Sequence, residues 1–409
     1  MTFRRRALIA LALAAVACSA RREAIVDQRP AHLVRPPVAP LSAMALLGRA
    51  IFYDSSLSAS GRRSCASCHL ADRAYGPGDR STMVENGGVV RAVPSLRYAY
   101  RAPAFGVGPE LSDVDEPVRV APPDSSVHGV KIAGAPRTGA MVAHGGLFWD
   151  GRVNTLQDQA MGPLLNPNEM GNRDIPSVSE KLRRSPYASR FVALFGAGVL
   201  NEPSRLVDEA MFAVARYQIE DSTFHPYDSK YDAYLEGRAA LTEQERRGLQ
   251  AFEDPKRGNC AACHLDRPLG DGLPPVFTDY EYEALGVPTD TTRGRSADLG
   301  ACGPIRTDLA SRTAYCGVFR TPSLRNVATR VAFFHNGVYS TLEQVLAFYD
   351  FRATRPERIY SARSPLDSAN LDTVDAPFNR RRGDVPPMTE QEMRDIIAFL
   401  KTLSDGPRP

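Results

Sequence analysis

Cys65-Ala66-Ser67-Cys68-His69 and Cys260-Ala261-Ala262-Cys263-His264 are the two pentapeptides on which the reading of this chain turns. Cys-x-x-Cys-His is the attachment signature of a c-type haem. Its two cysteines form thioethers to the porphyrin, and the His that follows directly is held beneath the iron as proximal ligand. One chance match in 409 residues is improbable, and two are far more so. The competing reading is a pair of zinc or redox sites. It asks for further Cys or His at ligand spacing, or for a βαβ context, and the sequence shows neither.

Working outward, the chain reads as a diverged tandem repeat. Gly48…Phe52 precedes the first motif and Gly248…Phe252 the second, while Pro94-Ser95-Leu96-Arg97 and Pro322-Ser323-Leu324-Arg325 follow them. A helix before the haem motif and a loop after it build a small cytochrome c domain, in which the haem itself is much of the core. Thr242-x-x-Glu245, Thr341-x-x-Gln344 and Thr389-x-x-Glu392 are capping boxes that start helices. The second predicts a helix from Leu342 to Phe348. The third opens an amphipathic helix with Met393, Ile396, Ile397, Leu400 and Leu403 on one face. No segment alternates with period two for long. The expected fold is mainly α: two tandem cytochrome c-type domains, residues 41–235 and 236–409, each wrapping one covalently attached haem, with long loops. Residues 100–140 are rich in Pro, Gly and Ala and predict an extended surface loop.

Haem is attached to such proteins outside the cytoplasm, so an export signal is expected, and residues 1–18 supply one. Arg4, Arg5 and Arg6 form a basic start, and Ala7 to Ala17 is apolar but too short to span a bilayer. Cys18 is either a lipoprotein acylation site, giving a lipid anchor, or part of a simply cleaved signal. Residues 19–40 read as a flexible tether, and the expected location is the periplasm. Of seven cysteines, one lies in the signal and four hold haem. Cys302 and Cys316 remain, either as a disulfide, which an oxidising compartment permits, or as two thiols. A net charge of +3 points to no polyanionic partner and so to no nucleic acid.

Longer stretches carry a family resemblance. They are Leu57-Ser58 and Ser64 beside the first motif, Phe148-Trp149-Asp150-Gly151-Arg152, Gln159, Pro163, Glu169-Met170, Phe319 to Asn326, and Phe334-His335-Asn336-Gly337. Over nearly its whole mature length the chain resembles the bacterial dihaem cytochrome c peroxidase and MauG family. The resemblance implies that the N-terminal haem is the peroxide site and that the C-terminal haem, six-coordinate, relays electrons. Trp149 matches the Trp that lies between the haems. Gln159, Pro163 and Glu169 match distal-pocket positions, with Glu169 as the acid–base group that moves a proton between the oxygens of hydrogen peroxide.

The second haem's remaining ligand separates the family's branches. Peroxidases place a Met fourteen residues after the His of Phe-His-x-Gly; here that count from His335 reaches Tyr349. No Met occurs between Met211 and Met388. Tyr is the pattern of MauG and its relatives, so His69, His264 and Tyr349 are the implied iron ligands. Met sulfur raises a haem potential, whereas an anionic phenolate favours oxidised iron. Reductively activated peroxidases carry a switchable His shortly after the first motif. Residues 70–127 contain none, and His128 and His144 come later, which implies an open first haem. The family also holds calcium between the haems, partly through an Asn and a Thr. Those places read Ala92 and Arg330 here, and a neighbouring Pro is Ala332, so calcium does not carry over directly; Asn326 and Thr329 stand nearby.

The leading expectation is a periplasmic MauG-type peroxidase that oxidises a substrate, such as Trp or Tyr of a partner protein, by long-range electron transfer. The alternative is a cytochrome c peroxidase drawing electrons from a small cytochrome or copper protein. A third is a non-enzymatic dihaem carrier, against which the Gln159, Pro163 and Glu169 set argues.

Overall fold

A computed structural model describes residues 33–80, 83–86, 88–109, 141–268, 272–289, 298–360 and 382–406. The expected signal at 1–18, Cys18, His128 and most of the 100–140 loop lie outside the described residues. Among the described residues the fold is mainly helical. The helices are α1 (Ala43–Phe52), α2 (Cys65–Cys68), α3 (Leu156–Leu165), α4 (Ile175–Arg184), α5 (Ala188–Phe195), α6 (Pro203–Glu220), α7 (Lys230–Leu235), α8 (Glu243–Glu253), α9 (Leu342–Phe351) and α10 (Glu390–Lys401). Three short antiparallel pairs complete it: β1 (Met83–Asn86) with β2 (Val89–Ala92), β3 (Gly106–Pro109) with β4 (Met141–His144), and β5 (Tyr282–Glu283) with β6 (Phe319–Arg320). The β3–β4 pair closes the base of the 100–140 loop.

The repeated Gly-x-x-x-Phe has a packing reason. In α1, a Cβ on Gly48 would stand 1.8 Å from the Ala213 carbonyl oxygen of α6. In α8, a Cβ on Gly248 would stand 1.9 Å from the Asp395 carbonyl oxygen of α10. Each Gly lets two helix backbones touch. One turn later, Phe52 and Phe252 are buried where each helix meets its haem motif. Two separate hydrophobic clusters result. One holds Leu47, Phe52, Leu206, Ala210 and Val214; the other holds Phe252, Phe277, Ile396 and Phe399. Tyr231 and Leu235 of α7 pack into the second cluster.

All three capping boxes form, with Thr242, Thr341 and Thr389 each accepting from the third backbone amide of its helix. Helix α9 runs to Phe351, past the predicted Phe348, so Tyr349 lies inside its last turn rather than beyond it. Buried Asp350 accepts from the Met388 amide at 3.0 Å and ties that turn to the chain leading into α10. The end of the expected tether is docked: Leu33 packs on the second cluster, Val34 donates to the Gly272 carbonyl at 2.8 Å, and Arg35 pairs with Glu236 at 2.7 Å. Cys302 and Cys316 form a disulfide.

Candidate functional site

The two haem motifs are held by equivalent devices. His69 Nδ1–H donates to the Tyr75 carbonyl at 2.9 Å, and His264 Nδ1–H donates to the Phe277 carbonyl at 2.9 Å. Because a carbonyl only accepts, each ring carries its proton on Nδ1 and its lone pair on Nε2, the tautomer that ligates a metal. Burial lowers the His69 pKa to about 4, which keeps that ring neutral. The accepting residues are fixed in turn by Pro-Ser-Leu-Arg. Ser95 Oγ donates to the Ala74 carbonyl at 2.5 Å, and Ser323 Oγ donates to the Val276 carbonyl at 2.6 Å. The motif therefore braces the loop that orients each His, which explains its repetition.

A cavity of about 190 Å³ lies against the first motif and is lined by Cys65, Cys68 and His69. A second of about 240 Å³ is lined by Cys260, Cys263 and His264. The four cysteines are thiols, not disulfides. Burial pushes Cys65 and Cys260 up to about 12, so both are uncharged. Among the described residues one group of three side chains approaches metal-ligand spacing, Cys263, Asp279 and Glu283. Two carboxylates and one thiol are not the nitrogen and sulfur set of a structural zinc site. Apolar pockets, a ligating His in each and two uncharged thiols at the wall fit covalent haem.

The structure brings the other predicted residues to these cavities. Gln159, Pro163 and Glu169 line the first. Pro163 stands inside α3, where its missing N–H leaves the Gln159 carbonyl without its helical donor. Glu169 follows the helix, its amide donating to the Asn166 carbonyl at 3.0 Å. Burial raises the Glu169 pKa, opposed by a hydrogen bond from Asn166 and the charge of Arg152. Tyr349 lines the second cavity, where no methionine does among the described residues. Burial, reinforced by Cys263 and Cys260, holds its phenol protonated well above the ordinary range.

Trp149 lines both cavities. Its Nε1–H donates to the Ala92 carbonyl at 2.8 Å, and its own carbonyl accepts from the Arg320 amide at 3.0 Å. The rest of Trp-Asp-Gly-Arg fixes it there. Asp150 is fully buried and accepts from Arg91 at 2.7 Å and Arg152 at 2.9 Å. Gly151 has φ +65°, and a Cβ there would stand 1.8 Å from Tyr282 Oη. Arg152 stacks over Phe148, 3.6 Å from the ring centroid.

The calcium positions do not fit calcium. Ala92 offers no side-chain oxygen, and its carbonyl serves Trp149. Arg330 lines the second cavity; its Nε donates to the Ala332 carbonyl at 3.2 Å and its Nη2 to the Val93 carbonyl at 3.3 Å. Carbonyls of the kind a calcium ion would gather are thus bridged by a guanidinium. No carboxylate among the described residues pairs with it, and burial lowers its pKa to about 10, leaving it a cation at neutral pH. Asn326 Oδ1 accepts from Arg97 at 3.0 Å, and Thr329 donates to the Asn326 carbonyl. His144 lines neither cavity; its ring packs against Gly106 and Gly108 in the β3–β4 pair. Sequence reasoning missed Phe52, Phe148 and Arg152 as wall residues. Arg152 stood within a quoted motif, and Phe52 within the repeat.

Comparison with known proteins agrees with this construction. Residues 42–240 match the family model described as di-haem cytochrome c peroxidase. The chain is 33% identical over 380 residues to methylamine utilization protein MauG of Paracoccus denitrificans, covering 89% of each. It is 30% identical over 301 residues to cytochrome c peroxidase Ccp of Escherichia coli, covering 73% of this chain and 50% of that one. Among solved structures, the diheme peroxidase BthA from Burkholderia thailandensis matches with TM-score 0.74 and 32% identity, over 92% of this chain and 90% of that one.

Proposed function

Because the chain belongs to the dihaem cytochrome c peroxidase family that includes MauG, and is therefore a haem oxidoreductase, we propose that it works in the MauG manner. It reacts with hydrogen peroxide at the first haem and oxidises a substrate by long-range electron transfer through the second. The observation that carries this reading is Tyr349 in the wall of the second haem cavity, with no methionine lining that cavity among the described residues. Haem iron, when bound, supplies the redox equivalents and the site at which peroxide is polarised. His69 and His264 would hold the two irons, Tyr349 would complete the second, and the four motif cysteines would carry the thioethers.

The chain's own groups do the rest. Glu169, ionised, takes the proton from the near oxygen of peroxide and returns it to the leaving oxygen. Burial raises the Glu169 pKa, while the hydrogen bond from Asn166 and the positive charge of Arg152 favour its ionised form. Gln159 and Pro163 shape the wall beside it, and Trp149 supplies a π system between the cavities. Tyr349 loses its proton only to a strong local cation, since burial above all holds the phenol protonated. Arg330 takes the inter-haem place of a metal ion. The division into units 41–235 and 236–409 is supported by the two hydrophobic clusters, with α7 leaning across it. We place the protein in the periplasm; no described helix is long and apolar enough to cross a membrane. The oxidised partner is a protein or a small redox protein.

The test is optical and EPR spectroscopy of the as-isolated diferric holoprotein, before and after one equivalent of peroxide, without reductant. Rapid loss of a high-spin signal and a long-lived oxidised product support the reading. No reaction until one haem is reduced replaces it with a conventional cytochrome c peroxidase.

A further inference from the structure

Phe52 lines the first haem cavity and is also the hub of an aromatic cluster that reaches the surface. Its ring centroid lies 5.3 Å from Tyr53, 5.6 Å from Tyr217 and 6.0 Å from Tyr75. Tyr75 follows directly on Ala74, and its carbonyl is the one that receives His69 Nδ1–H. Tyr53 caps α1 and is 49% exposed. Tyr217 and Tyr75 also meet through Phe224, whose ring centroid lies 5.1 Å from Tyr217 and 3.8 Å from Tyr75. Tyr75 Oη lies 2.6 Å from Thr223 Oγ1, and Thr223 Oγ1 donates to Asp221 Oδ1 at 2.6 Å. Asp221 is half-buried and reaches solvent.

We propose that this cluster is a one-electron exit from the first haem to solvent, with Tyr53 as the surface site that is oxidised. The proposal rests on the peroxide site being at the first haem. Tyr53 loses an electron inward, through the ring contacts of Phe52, to the peroxide-oxidised site. Its O–H bond breaks, and the proton passes to solvent, which the half-exposed Tyr53 side chain meets. A small one-electron donor in solvent then returns an electron to Tyr53, and a proton returns from solvent. Two such transfers consume the two oxidising equivalents of one peroxide. Tyrosine is needed at position 53 because a phenol sheds its proton when oxidised, whereas a phenylalanine ring has none to shed. The route uses neither Trp149 nor the second unit, so it drains equivalents that no substrate has claimed.

The diferric holoprotein is treated with peroxide in the presence of a nitrone radical trap and no added reductant. Peroxide loss is followed optically, and adducts are mapped by peptide mass spectrometry. The expected result is an adduct on Tyr53 that is absent in Y53F. In F52L, which removes the ring joining Tyr53 to the cavity, the adduct per peroxide consumed falls about tenfold, or ~1.4 kcal/mol in barrier. Peroxide consumed with no adduct on Tyr53, or an undiminished adduct per peroxide consumed in F52L, overturns the relay and leaves the peroxide site standing. Peroxide left unconsumed overturns the peroxide site, and the relay with it.

Discussion

Replacing Gly48 or Gly248 by Ala tests whether the repeat encodes helix contact. The added Cβ of Gly48→Ala meets Ala213 O at 1.8 Å, its carbon at 2.4 Å and Val214 N at 2.9 Å; that of Gly248→Ala meets Asp395 O at 1.9 Å. All four obstacles are backbone, so no rotamer relieves them. The helices must part by more than about 1 Å, and overpacking of this kind costs about 1–3 kcal/mol. We expect the upper end, because Leu47, Ile51 and Phe52 on α1 are all nearly fully buried and move with it. At about 2–4 °C per kcal/mol for a unit of this size, melting should fall by roughly 6–12 °C. The loss should appear in the unit that carries the substitution, since two haem units need not melt as one transition. Gly198→Ala is the control: its Cβ has Glu202 Oε1 at 3.7 Å as nearest neighbour. There the change should be neutral or stabilise by about 0.4–1 kcal/mol. The assay is thermal unfolding of the holoprotein, followed by far-UV circular dichroism and haem absorbance. Wild-type melting in both Gly48→Ala and Gly248→Ala would refute the packing argument.

Tyr349→Phe should change the resting optical and EPR spectrum of one haem only, and an unchanged spectrum sinks the ligand assignment. Glu169 acts as base only when ionised, and burial raises its pKa. The peroxide rate should therefore fall on acidification at a pH above the ordinary Glu value of about 4.3. Glu169→Gln should lose that limb and about 10²–10⁴ in rate, read by stopped flow. Because Arg330 occupies the inter-haem carbonyls, a calcium chelator should leave the spectrum and peroxide rate unchanged, with no calcium found by elemental analysis. Reducing Cys302–Cys316, which are 14 residues apart, should cost about 3 kcal/mol of stability in denaturant titration.

Much of the site was legible because its signals are local. Cys-x-x-Cys-His places two thiols and a candidate iron ligand within five residues. A Thr followed three places later by Glu or Gln meets its own helix amides, so the starts of α8, α9 and α10 were readable. Tyr349, which lines the second cavity, was reached by counting from His335. The end of α9 was read three residues short, since what extends it is a contact from buried Asp350 to Met388, 38 positions away.

By itself, then, the sequence determined the two Cys-x-x-Cys-His motifs, the helical class, the repeat and the absence of a Met where Tyr349 stands. Only the tertiary structure decided what the repeat is for, with Gly48 against Ala213 and Gly248 against Asp395. It alone showed Trp149 in the wall of both cavities, Arg330 between carbonyls of Val93 and Ala332, and Tyr53, Tyr75 and Tyr217 gathered on Phe52. The physical reason is sequence separation. A cap or an attachment motif is satisfied by its own neighbours. Close packing, charge burial and aromatic contact join residues a hundred or more positions apart, and they exist only once the chain has closed around its cavities.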